Sequence, residues 1–237
     1  MTLHAPQPQR PLRDSDTLPC DDGKPMETTQ HRSQMNLLIE TLQPYLAQRN
    51  IPAYVAGNNF LYYQKGKPPK FCGPDFYVVL GQVETDQRSY VVWEENNRFP
   101  DVIIELLSES TEDLDRGARF IRYRDLFQTP EYYLYDPIQR RLEGFRLNAG
   151  HYVPLVESGT LLDCQSLGLK LGIRGGWLRW IHPEGWLLPT GAELAEQEQE
   201  RAEQECERAE QERQRAERAE AELAQLRSQL ARLRAEP

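Results

Sequence analysis

No stretch of this chain approaches the roughly 20 consecutive apolar residues that a membrane-spanning helix needs. Its polar, proline-bearing start, MTLHAPQPQRPLRDSD, has no apolar signal core. Membrane insertion and secretion are therefore set aside, and a cytoplasmic location is expected. Cysteine is scarce: Cys20, Cys72, Cys164 and Cys206 stand far apart. No pair has metal-ligand spacing and the chain is too long for a disulfide-stapled scaffold, so four unlinked thiols are expected. Positive charge is also in deficit, with 37 acidic against 28 basic residues and a net charge of −9. Thirteen of the acidic and eight of the basic residues fall in 191–237, which leaves the preceding part close to neutral. Bulk charge thus gives no support to a nucleic-acid partner, and such a partner would need a local basic surface. No zinc finger, helix-turn-helix or base-reading signature is present.

What is present divides into three segments: 1–24, 25–190 and 191–237. The first carries Pro6, Pro8, Pro11 and Pro19 and few apolar residues, a composition that predicts disorder. In the second, Met35, Leu38, Ile39, Leu42 and Leu46 recur at helical spacing. Thr28 or Thr29 can cap that helix, Asn50-Ile51-Pro52 ends it, and Pro44 predicts a kink or break within it. AYVAG, NFLYYQ, FCGPDFYVVLG, SYVVWEE and DVIIELLS follow as strand-like runs. A helix over roughly Glu112–Phe127 separates DVIIELLS from EYYLYDP, and a strand–helix–strand unit of this size predicts a parallel crossover. RRLEGFRL and HYVPLV read as a hairpin around Asn148-Ala149-Gly150, and LGLKLGIRGGWLRWIHPEGWLL adds short strands. The order predicts an α/β domain, a mixed sheet flanked by helices. In the tail, Ala202, Ala209, Ala216, Leu223 and Leu230 repeat every seven residues with Ala219, Leu226 and Leu233 as the companion series. Glu198, Glu205 and Glu212 spoil the first half of that seam. A solvated helix is expected over 191–215, and over 216–235 self-association, possible docking or neither.

Three carboxylates stand among apolar neighbours: Asp75 in GPDFYVVLG, and Asp101 and Glu105 in PDVIIELLS. Burying a carboxylate costs several kcal/mol unless it is paired or metal-bound. With a strand period of two, Asp101 and Glu105 project to one face. Converging carboxylates can hold a hard divalent cation, which activates water and stabilises charge on a phosphodiester. Glu105, inside an otherwise apolar strand, reads as functional, with a structural salt bridge to an arginine as the alternative.

The string GPDFYVVLG, SYVVWEE, PDVIIELLSEST, DRGARFIRYRDLFQTPEYYLYDP, together with PMET, GNNFLYY and HPEGWLLPTGAE, resembles the Uma-type putative restriction endonucleases, a PD-(D/E)xK nuclease-like family. The resemblance covers about residues 25–190 and implies a restriction-endonuclease-like fold. Many relatives also end in a charged coiled-coil tail. It implies metal-binding acids at Asp75 and Glu105, with Asp101 in support, and Mg²⁺ or Mn²⁺ as the cofactor. Leu107 stands where a common nuclease motif has lysine. The family's lysine, four residues before a tyrosine, corresponds here to Arg119 ahead of Tyr123. Arginine keeps the charge but not the point-like ammonium. The expected activity is divalent-metal-dependent hydrolysis of DNA; the alternative is an inactive nuclease-fold module that binds nucleic acid or assembles through its coiled coil, as a homo-oligomer.

Several residues carry two readings. Glu27 is a further acid or an ordinary helix-start carboxylate. His31 reads as a surface or capping residue, Glu94 and Glu95 as strand-end solvent charges, and Asp136 as a turn former before proline. Lys65, Lys67 and Lys70, the helix residues Arg116, Arg119, Arg122 and Arg124, and Arg140, Arg141 and Arg146 could contact phosphates. Surface ion pairs with Asp113, Asp115 and Asp125 explain the helix arginines equally well.

Overall fold

The computed structural model describes residues 13–20, 28–82, 87–155 and 161–235; Glu27 lies outside them. The chain divides after Leu188 into two units.

The first unit is organised by a six-stranded sheet. Its strands are β1 (Ala53–Ala56), β4 (Phe76–Leu80), β6 (Val102–Leu106), β7 (Glu131–Asp136), β8 (Arg141–Asn148) and β9 (His151–Pro154), in the order β1-β4-β6-β7-β8-β9. Every neighbouring pair is antiparallel except β6 and β7. The expected parallel crossover is present, because two parallel strands need a long connection over one face. Two smaller sheets accompany it. One joins β3 (Lys70–Cys72), β2 (Leu61–Gln64) and β5 (Tyr90–Val91), and the other β10 (Leu161–Cys164), β11 (Leu169–Arg174) and β12 (Trp177–Ile181).

Helix α2 (Thr29–Gln48), preceded by the short α1 (Asp14–Thr17), packs on one sheet face. Met35, Leu38, Leu42 and Leu46 of α2 meet Val55, Phe76, Val78, Ile104 and Trp180. Full burial of each leucine contributes about 2 kcal/mol. Thr28 caps the helix, its hydroxyl accepting from His31 N at 3.1 Å. The helix runs through Pro44 without a break, at the cost of one backbone hydrogen bond. Gln34 clips β12 to the helix, giving and taking a bond with Leu178 at 2.9 Å each. The opposite sheet face carries Tyr77, Val79, Ile103, Leu107, Tyr132 and Leu134, covered by Tyr123 and Phe127 and by Leu61 and Tyr90 of the small sheet.

Two expectations are corrected. Of SYVVWEE only Tyr90–Val91 is strand. The chain then turns, with Asn97 N on Val92 O at 2.9 Å and left-handed φ values of 54° and 56° at Asn96 and Asn97. Nor is all of 1–24 disordered. Glu94 accepts from the backbone N–H of Asp14 and Ser15, Arg13 pairs with Glu95 at 2.8 Å, and Trp93 Nε1 donates to Asp14 at 2.8 Å. The two glutamates read as solvent charges are the anchors of this segment.

Helix α3 (Glu112–Leu114) and helix α4 (Phe120–Asp125) are joined by one wide π-helical turn, Asp115–Arg119. β8 and β9 form the expected hairpin, with Ala149 and Gly150 at φ 48° and 81°, the conformation a two-residue loop demands. Asp136 closes its turn by accepting from Ile138 N and Gln139 N at 2.8 Å.

The second unit contains α5 (Gly191–Ala235), 45 residues long. Thr190 and Glu193 form a reciprocal capping box: Thr190 N donates to Glu193 Oε2 at 2.7 Å, and Glu193 N to Thr190 Oγ1 at 3.1 Å. Its described side chains are exposed, apart from the half-buried Glu193.

Candidate functional site

Asp75 immediately precedes β4 and Glu105 lies on β6. The register pairs Phe76 with Ile104, so the two carboxylates are cross-strand neighbours on the face that carries Tyr77 and Ile103. Asp75 N donates to Glu105 Oε2 at 3.0 Å, and Leu106 N donates to Asp75 Oδ2 at 2.8 Å. Gly57 makes room for this turn. A Cβ there would sit 2.3 Å from Asp75 O and 2.8 Å from the Met35 side chain, so no larger residue fits.

The helix over the crossover completes the cluster. Arg119 Nη1 lies 3.3 Å from Glu105 Oε2 and 2.5 Å from Asp115 Oδ1. Tyr123 donates its hydroxyl to Glu105 Oε1 at 2.7 Å. Tyr132 of β7 donates to the backbone carbonyl of Asp115 at 3.0 Å and so fixes the π turn to the sheet. Glu105 and Asp115 are fully buried, and Asp115 Oδ2 is shut away from solvent with no well-formed hydrogen bond among the described residues. From the other side of the sheet, His31 Nε2 approaches Leu106 O at 3.3 Å while Thr28 Oγ1 lies 2.8 Å from Nδ1. A carbonyl only accepts, which places the proton on Nε2. His31 is therefore a buried capping residue that braces Leu106, the residue whose N–H holds Asp75.

Charge does not balance here. Asp75, Glu105 and Asp115 face one guanidinium, which leaves two formal negative charges away from water. Burial drives the Glu105 carboxyl up to about 8, with Arg119 opposing and Asp75 adding repulsion. Burial likewise raises Asp75 to about 6 and, with Glu105 beside it, Asp115 to about 7. Asp75 and Glu105 titrate as a pair, so these values belong to both.

Of the residues singled out in the sequence, Asp75, Glu105 and Arg119 are brought together. Asp101 is not. Its Oδ2 accepts from Leu80 N at 2.7 Å and lies 3.6 Å from Arg98. It shares a face with Glu105 but sits four residues away, about 13 Å along the strand. Leu107 is buried among Tyr77 and Tyr123. Asp115 and Tyr123 are additions. Their spacing, four residues either side of Arg119, is the signal that marks them, and Asp115 resembles a surface ion-pair partner until its burial is known.

The donor chemistry suits a hard divalent cation: carboxylate oxygens, surplus negative charge and an orphaned Asp115 Oδ2. The arrangement is filled by the Arg119 guanidinium, and among the described residues no three His, Cys, Asp or Glu side chains are set to hold a metal ion. Also among the described residues, no helix is long and apolar enough to cross a membrane.

No curated protein matches the chain. A crystal structure described as a putative nuclease belonging to DUF820 from Anabaena variabilis is 15% identical, with a TM-score of 0.44 over 61% of this chain and 76% of that one. The family described as Uma2, putative restriction endonuclease, matches residues 21–174. That span takes in well over half of the chain and every member of the cluster from His31 to Tyr123, and on it the chain belongs to the Uma2 family.

Proposed function

We propose that the domain is a nuclease that hydrolyses phosphodiester bonds of DNA with the help of a divalent cation, magnesium or manganese. One observation carries this reading: the fully buried Glu105 and Asp115 and the half-buried Asp75 are gathered round a single guanidinium, a costly arrangement that a bound cation relieves. Asp75 and Glu105 would hold the cation. When bound, it supplies a more acidic water and positive charge beside the phosphate.

The chain's own residues divide the remaining work. Arg119 stays charged at any working pH, so it serves as a fixed positive group for a phosphate oxygen and not as a proton carrier. Asp115 tethers it. Asp75 Oδ2 accepts from Leu106 N at 2.8 Å, which holds this ligand carboxylate in place beside Glu105. Tyr123 fixes the Glu105 carboxylate.

The test is plasmid cleavage together with manganese calorimetry on wild type, Asp75→Ala and Glu105→Ala. Both variants are expected to lose divalent-dependent cleavage and to keep their fold. Cleavage equal to wild type would sink the assignment. A second reading is favoured by the closure of Arg119 onto Glu105 and Asp115: an inactive nuclease fold retained for binding. A marked rise in cleavage on Arg119→Lys would favour it. The heptad seam over 216–235 supports assembly into homo-oligomers through the tail.

A further inference from the structure

Charge bookkeeping across the arginines separates those already neutralised from those still available to a polyanion. Arg116 pairs with Glu112 at 2.8 Å and Glu143 at 2.7 Å, Arg124 with Asp125 at 2.6 Å, Arg141 with Glu143 at 3.4 Å, and Arg146 with Glu131 at 2.9 Å. Arg140 packs against Gly176 in the β11–β12 turn. The outer face of the crossover helix therefore offers a phosphate backbone little unspent charge, although the sequence concentrates arginine there.

Among the described residues, Arg122, Lys67 and Lys70 make no ion pair. Arg122 lies over the Tyr63 ring, 5.4 Å from its centroid. Cys72, at the end of β3, packs in one buried cluster with Tyr123 and lies three residues before Asp75, so the end of β3 adjoins the carboxylate site. Lys70 is two residues before Cys72 on β3. The strand period puts it on the same face, about 7 Å farther from the site. Lys67 follows at the exposed tip of the β2–β3 hairpin. Lys65 turns to the other face, 3.4 Å from Asp14 and 5.9 Å from the Trp93 ring centroid, and stands apart from this line.

We propose that Arg122, Lys70 and Lys67 form a track that carries the sugar–phosphate backbone of a nucleic acid from the β2–β3 hairpin into the Asp75–Glu105 site. This rests on the nuclease reading above and adds the surface by which the substrate enters. Contacts of this kind position a backbone without reading its bases, in keeping with the absence of a base-reading motif. Tyr63 beneath Arg122 gives this face of the hairpin aromatic surface as well as charge.

The experiment measures binding in a chelator, where cleavage plays no part, by fluorescence anisotropy with a labelled short DNA duplex and an RNA of the same sequence across a salt series. Lys67→Gln/Lys70→Gln, both at exposed positions, is expected to weaken binding and to lower the salt slope for the duplex by about 1.8, at about 0.9 per phosphate contact. A fourfold rise in salt then weakens wild-type binding about 12-fold more than the variant's. Adding Arg122→Gln lowers the slope by about 0.9 more, whereas Arg116→Gln/Arg124→Gln leaves it unchanged. Wild-type slope in the lysine double variant, with wild type itself binding, overturns the track and leaves the nuclease reading standing. Failure of wild type to bind either probe overturns the nucleic-acid reading, and the track with it.

Discussion

The unbalanced carboxylates predict an unusual dependence of stability on pH. In the folded domain burial raises Glu105 from 4.5 to about 8, Asp115 from 3.8 to about 7 and Asp75 from 3.8 to about 6. All three shifts run upward, so the folded state binds protons that the unfolded chain has already released. Their stabilising contribution is complete below about pH 4 and is lost as pH rises through the folded values. Each proton held only by the folded state costs about 1.4 kcal/mol per pH unit. Glu105 alone sets a ceiling of about 5 kcal/mol by pH 8, shared in practice with Asp75, with which it titrates as a pair. Asp101, also raised by burial, acts in the same direction. Glu131 and Glu143, both depressed despite burial, by backbone N–H groups and by Arg116 respectively, lose stability only below about pH 4.5, outside this window. Urea unfolding followed by tryptophan fluorescence, with the buried Trp180 as reporter, is expected to show a fall of at least about 3 kcal/mol between pH 5 and pH 8, the share of Glu105 alone. Asp115→Asn should flatten the profile between pH 4 and pH 7 by about one proton's worth. Stability that is level or rising over pH 5–8 would refute the charge imbalance on which the site rests.

Three further outcomes follow from the geometry. Gly57→Ala drives a Cβ into Asp75 O and Met35; a loss of about 2 kcal/mol in thermal unfolding and weaker manganese binding are expected, and an unperturbed variant would show that the turn relaxes freely. Tyr123→Phe leaves Glu105 Oε1 without its buried donor, which costs about 1–3 kcal/mol in urea unfolding, more at pH 8 than at pH 5. Removal of residues 191–237 should convert an oligomer to a monomer in light scattering while the first unit unfolds as before; an unchanged mass would rule the tail out as the cause of assembly.

Much of this arrangement is legible along the chain because local rules and packing agree. The stripe from Met35 to Leu46 becomes the buried face of α2, Thr28 caps it, and the DVIIELLS–helix–EYYLYDP unit closes a parallel pair. Asp75 and Glu105 are conspicuous because one abuts an apolar strand and the other interrupts one. Asp101 misleads for a geometric reason: a period of two reports which face a side chain takes, not which end of the strand it occupies. Asp115 goes unnoticed because an Asp–Arg pair four apart on a polar helix resembles an exposed ion pair, and only tertiary packing removes it from water. Glu94 and Glu95 are misread in the same way, since their partners, Arg13 and the backbone of Asp14, lie some 80 residues away.

The π turn between α3 and α4 has a consequence for phase. In an α-helix four residues advance about 400°, so side chains spaced by four drift about 40° per step around the axis. Asp115, Arg119 and Tyr123 span two such steps, and a continuous α-helix would swing the first and last apart by about 80°. The π turn Asp115–Arg119 rotates less per residue and winds the first step back, which keeps all three on one bearing toward Glu105. The turn thus behaves as an angular correction of one residue: deleting Gly117, whose Cβ position touches nothing, would restore ordinary winding and rotate the Asp115 tether out of line with the arginine it holds.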